Sequence, residues 1–135
     1  MAFIGAIEDQ LAIRSLIDSY SDAVFRRDPG DWGACWAEDA VWTLMGTEAR
    51  GRATIVAFWE QAMSTFNFVA FFSHLGSIEI DGDRATGRVY THEVIEDLSG
   101  NLTRPVGQYE DIYAKVDGAW LFAERRYTML NRGES

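Results

Sequence analysis

Phe71-Phe72-Ser73-His74-Leu75-Gly76-Ser77-Ile78-Glu79-Ile80-Asp81-Gly82-Asp83-Arg84-Ala85-Thr86 is a strand-turn-strand pattern on which the fold turns. Asp81-Gly82-Asp83 carries turn chemistry between two short alternating runs, which predicts a hairpin. Successive side chains of a strand point to opposite faces. Unbroken alternation therefore groups His74 with Phe72, Gly76, Ile78 and Ile80, and sends Ser73, Ser77, Glu79 and Asp81 the other way. An imidazole among apolar neighbours is either a satisfied core histidine or a working acid/base.

Upstream of this hairpin the period is helical. Ile13, Leu16, Ile17, Tyr20 and Val24 form one stripe, with Arg14, Asp18, Ser21 and Asp22 opposite, which predicts a helix over 7–27. Asp28-Pro29-Gly30-Asp31 breaks it, and Asp31 is positioned to cap a short second helix running through Trp36. A short strand is expected over 40–44. Gly51 opens a further helix with the stripe Ile55, Phe58, Trp59, Ala62 and Met63. Downstream, turns at Asp97 to Asn101 and at Asp117-Gly118 divide the remainder into long strands. Helices first and antiparallel strands after predict a single α+β domain over 1–135, with helices covering one face of a curved sheet. Such a sheet encloses a pocket, and the five Trp, five Tyr and eight Phe exceed what a minimal core needs.

Composition narrows the partners. A net charge of -9 argues against nucleic acid and anionic membranes, both of which call for basic patches. Cys35 is the single cysteine, which excludes an intramolecular disulfide and a zinc cluster, and beside Trp32 and Trp36 it reads as a buried thiol. No basic-then-apolar leader and no membrane-length apolar run is evident, so a soluble cytoplasmic domain is expected. The two histidines are far apart, without a ligand-spaced carboxylate, and there is no phosphate loop or nucleophile elbow. Neither a metal nor a cofactor is expected.

Several segments, in this order, carry a resemblance. Ala12-Ile13-Arg14-Ser15-Leu16 with Tyr20, Trp36-Ala37-Glu38-Asp39-Ala40-Val41-Trp42 and Gly51-Arg52-Ala53-Thr54-Ile55 come first. His74, Asp81 to Gly87, Gly107-Gln108-Tyr109-Glu110-Asp111 and Asp117 to Phe122 follow. The chain resembles the SnoaL-like branch of the nuclear transport factor two-like superfamily, similar to scytalone dehydratase, hexachlorocyclohexane dehydrochlorinase and bile-acid dehydratase. The resemblance covers nearly the whole chain. It implies a cone-shaped α+β barrel enclosing a pocket, and a homodimer or higher homo-oligomer paired through the outer sheet face, where Arg88, Tyr90 and His92 fall.

The dehydratase-like members pair a carboxylate near the end of the first helix with a strand histidine. His74 matches the histidine, but the carboxylate position holds Phe25. Phenylalanine neither orients an imidazole nor accepts a proton. At the helix end it either closes the pocket against Trp42 or packs against the short second helix; Trp42 itself matches a pocket-lining tryptophan of the dehydrochlorinase-like members.

Two carboxylates stand in for the missing one. Asp111 shares a face with Tyr109 and Tyr113, where it is either a desolvated base or a partner of Arg125 or Arg126. Glu93 falls with Val89, Thr91 and Ile95, against Arg88, Tyr90, His92 and Val94. The reading is a cofactor-independent lyase or isomerase for a small hydrophobic, cyclic, oxygenated molecule. His74 transfers the proton, Asp111 or else Glu93 replaces the helix carboxylate, and Tyr20 and Tyr109 bind an oxygen. The alternative is a non-catalytic binding or assembly module that has lost the dyad.

Overall fold

The computed structural model describes residues 2–134. Helix α1 (Ile7–Arg26) buries the predicted stripe, and Arg27 ends it in the left-handed region at φ 53°, its N–H bonded back to Ala23 and Val24. Helix α2 (Pro29–Ala34) is capped by Asp28, which accepts a hydrogen bond from the Asp31 N–H at 3.0 Å, with Pro29 at the first helical position. The expected cap at Asp31 is thus displaced by one turn of sequence. Asp31 instead joins Asp22 and Asp28 in holding the exposed Arg26 guanidinium. Helix α3 (Arg52–Met63) is locked to α2 by Trp32 stacked on Trp59, ring centroids 4.5 Å apart.

The strands are β1 (Phe3–Ile4), β2 (Trp36–Leu44), β3 (Thr47–Arg50), β4 (Phe66–Asp81), β5 (Arg84–Asp97), β6 (Leu102–Thr103), β7 (Val106–Val116) and β8 (Ala119–Asn131). They form one eight-stranded sheet in the order β1-β4-β5-β7-β8-β2-β3, with β6 on β5. β2 starts four residues earlier than expected, because Trp36 and Ala37 are buried against β8 rather than ending a helix. β1 on β4 and β2 on β8 are parallel pairs, and the others are antiparallel.

The sheet curls around the helices with the help of β-bulges. Leu75 pairs with Val89 and Ser77 with Arg88, leaving Gly76 as an extra residue in β4. Ile112 pairs with Glu124 and Tyr113 with Phe122, leaving Ala123 extra in β8. No such break interrupts β5 against β7 over the nine pairs from Arg84↔Ala114 to His92↔Val106. The core lies between α1 and the concave face, where Tyr20 packs on Trp32, Phe71 and Phe122. No helix among the described residues is long and apolar enough to cross a membrane.

Candidate functional site

The uninterrupted strands direct their side chains as alternation requires. On β5 Val89 and Thr91 are buried, with Glu93 and Ile95 next on the same face. On β7 Tyr109, Asp111 and Tyr113 all point inward. The bulged strands do not. Before Gly76 the inward positions of β4 are Val69 and Phe71, and after it Ile78 is buried. His74 therefore faces outward and is exposed, apart from Ile78 and Ile80. Its grouping with them is corrected, because one extra residue reverses the parity of a strand.

A cavity of about 220 Å³ opens between α1, α3 and the concave face. Tyr20, Trp42, Glu93 and Tyr109, four of the sequence-derived candidates, line it. Among the described residues Glu93 is the single charged side chain on its walls, which are otherwise aromatic and aliphatic. Burial pushes the Glu93 carboxyl up to about 7, with no cation set against it.

Three phenols share the cavity with Glu93. The Tyr109 hydroxyl accepts a hydrogen bond from the Trp42 indole N–H at 3.0 Å, so its own proton is free to be donated. Burial raises Tyr20 to about 12, and raises Tyr109 well above the ordinary phenol range. Both are therefore neutral donors. Beneath them lies the buried Arg125 guanidinium, 3.8 Å from the Tyr109 ring centroid and 4.6 Å from that of Tyr20.

Asp111 lies under this floor and does not line the cavity. Arg125 holds both its oxygens, Nε to Oδ1 at 2.8 Å and Nη2 to Oδ2 at 3.1 Å, and the Tyr113 hydroxyl donates to Oδ2 at 2.8 Å. Burial pushes the Asp111 carboxyl up and the guanidinium pulls it back. Of the two roles open to Asp111, the structure shows the ion pair, with Arg125 rather than Arg126 as partner.

Phe25 is 43% exposed and packs edge-on against Phe72, ring centroids 5.4 Å apart. It neither lines the cavity nor approaches Trp42, whose ring neighbours are Trp32, Trp36 and Phe58. Closure by Phe25, one of its two expected roles, is corrected, because its ring packs on Phe72, an exposed residue of β4. Cys35 is buried, and burial pushes its thiol up to about 11.

The sequence reading missed Tyr127 and Met129, which reach the cavity from β8, and Met45 and Met63 beside them. Alternation from Phe122 gives the wrong face for Tyr127 because Ala123 is extra; alternation from Arg125 gives the right one.

The comparisons with known proteins agree with this architecture. A protein of unknown function from Mycobacterium tuberculosis is 26% identical over 92% of this chain and 77% of its own, with a TM-score of 0.83. A hexachlorocyclohexane dehydrochlorinase from Novosphingobium barchaimii is 20% identical over 93% and 89%, TM-score 0.81. A proposed scytalone dehydratase from Novosphingobium aromaticivorans is 19% identical over 95% and 93%, TM-score 0.84. At these identities the last two establish the shared fold. No curated protein matches the chain. The model of the SnoaL-like domain matches residues 5–126, and the chain belongs to that family.

Proposed function

We propose that this protein is a cofactor-independent lyase or isomerase that moves a proton at carbon on a small, neutral, cyclic oxygenated molecule, with Glu93 as the acid/base. The observation that carries this reading is the placement of one carboxylate, unpaired and raised to about 7, in an apolar cavity beside phenol donors. Dehydratase and dehydrochlorinase relatives of the same fold support the reaction class.

The chemistry follows from the geometry. A ring of the substrate fills the space among Trp42, Trp59, Phe66 and Phe71. Its oxygen takes hydrogen bonds from Tyr109 and Tyr20, with the Arg125 charge below both rings. Ionised Glu93 removes a proton from the adjacent carbon, and the C–H electrons move toward that oxygen. In an isomerase the proton returns at another carbon. In a lyase the electrons form a C=C bond as the leaving group departs with its bonding pair, and the Glu93 proton neutralises it. General base catalysis contributes about 10²- to 10⁴-fold, and a positioned oxyanion donor about 3 kcal/mol.

His74, exposed on the outer face, has no part in this scheme. That face also carries the exposed rings Phe68, Phe72 and Tyr90, which support pairing with a second copy. Sedimentation at micromolar concentration tests it: a dimer is expected, and a monomer contradicts it. The catalytic reading is tested by solvent-deuterium exchange into cyclic ketones. Wild type is expected to accelerate exchange and Glu93→Gln to lose at least 100-fold. Equal rates in the two proteins refute it.

A further inference from the structure

Tyr127 reaches the cavity by an unusual route. On β8 it stands opposite Tyr109 of β7, yet its ring lies over Gly107, two residues along. A Cβ at Gly107 would overlap Tyr127 ring and hydroxyl atoms, so a side chain there is incompatible with this placement. Gly107 in turn pairs with Thr91 of β5, and Thr91 precedes Glu93 on the same inward face. The missing side chain is thus a slot through which the phenol crosses β7 toward β5. Its arrival is visible in its environment. Burial and the Glu93 charge push the Tyr127 phenol up to about 12, while the Thr91 hydroxyl beside it acts in the opposite sense.

We infer that Tyr127, admitted by Gly107, is the positioning residue for Glu93, donating its hydroxyl to the carboxylate whenever Glu93 is ionised. This rests on the reading of Glu93 as the acid/base and assigns the phenols separate tasks. Tyr109, tied to Trp42, and Tyr20, over Arg125, serve the substrate oxygen, and Tyr127 serves the base. The other ionisable groups facing Glu93 are Tyr20 from α1, Tyr109 from β7 and, behind the Tyr109 ring, Arg125 from β8. Tyr127 is the phenol of this set that has neither the indole nor the guanidinium as a close partner. A donor to the charged form favours ionisation, so removing it must raise the proton affinity of Glu93.

The test is a ¹³C NMR titration of protein carrying carboxyl-labelled glutamate. Wild type is expected to show one glutamate titrating near pH 7 that disappears in Glu93→Gln. In Tyr127→Phe that midpoint moves upward, corresponding to about tenfold tighter proton binding. Gly107→Ala, which expels the ring without removing the hydroxyl, moves it the same way. Tyr109→Phe moves it less. An unmoved midpoint in Tyr127→Phe, or a larger shift in Tyr109→Phe, overturns the inference and leaves Glu93 as the acid/base. A signal near pH 7 that survives Glu93→Gln overturns both.

Discussion

Glu93 places a cost on the fold. Its ordinary value is 4.5 and its folded value about 7, so between those two pH values the native chain holds a proton that the unfolded chain has released. Stability from this group is present below about pH 4.5 and is lost as pH rises through 7. Allowing for the partial exposure of the group, the loss is about 2 kcal/mol. Glu93→Gln removes the charge and nearly preserves the shape. Thermal unfolding is therefore expected to show the variant more stable than wild type at pH 8 and level with it at pH 4. Equal stability at pH 8 would show that the carboxylate is solvated and paired, not held in an apolar wall.

At the scale of elements, bulges decide which residues meet. Strands β5 and β7 pair without interruption, and there alternation read from the sequence placed Glu93, Tyr109 and Asp111 on the correct face. Strands β4 and β8 each carry two extra residues, Asn67 and Gly76 in one and Ala123 and Leu130 in the other, and across Gly76 and Ala123 the same rule failed. It put His74 inside with Ile78, and counted from Phe122 it turned Tyr127 to the wrong face. Nothing in Leu75-Gly76-Ser77 fixes which side of the glycine keeps its face; the curvature demanded by the packed helices does. The helices α1 and α3 were legible from their stripes, whereas α2 ends at Ala34 instead of running through Trp36, and its cap moved to Asp28 because Pro29 occupies the first helical position. Histidine identity was a misleading guide where strand parity was unknown. Accordingly, His74→Ala and Phe25→Asp, both at exposed positions, are expected to alter deuterium exchange by less than twofold and stability by about 0.5 kcal/mol or less. A tenfold loss in His74→Ala would return the imidazole to the mechanism.

For the whole molecule, the Asp111–Arg125 pair joins β7 to β8 beneath the cavity and forms its electrostatic floor. A buried pair is weak evidence of net stabilisation, but removing one partner leaves the other charge stranded. Asp111→Ala is expected to lower stability by about 3 to 5 kcal/mol, measured by denaturant unfolding. A change below about 1 kcal/mol would show that water reaches the pair. The fold thus separates its two interior carboxylates: Asp111 is ion-paired beneath the cavity, and Glu93 lines the cavity wall with no cation against it. That division was half visible in the sequence, where Arg125 and Arg126 stood as partners for Asp111 and no cation stood near Glu93 on its strand face.

The most direct test of Glu93 as the acid/base is the pH profile of deuterium exchange into a cyclic ketone, compared among wild type, Glu93→Gln and His74→Ala. The rate is expected to climb through about pH 7 in wild type and in His74→Ala alike, and to fall to background in Glu93→Gln. A profile that survives Glu93→Gln, or one that vanishes in His74→Ala, would contradict that role.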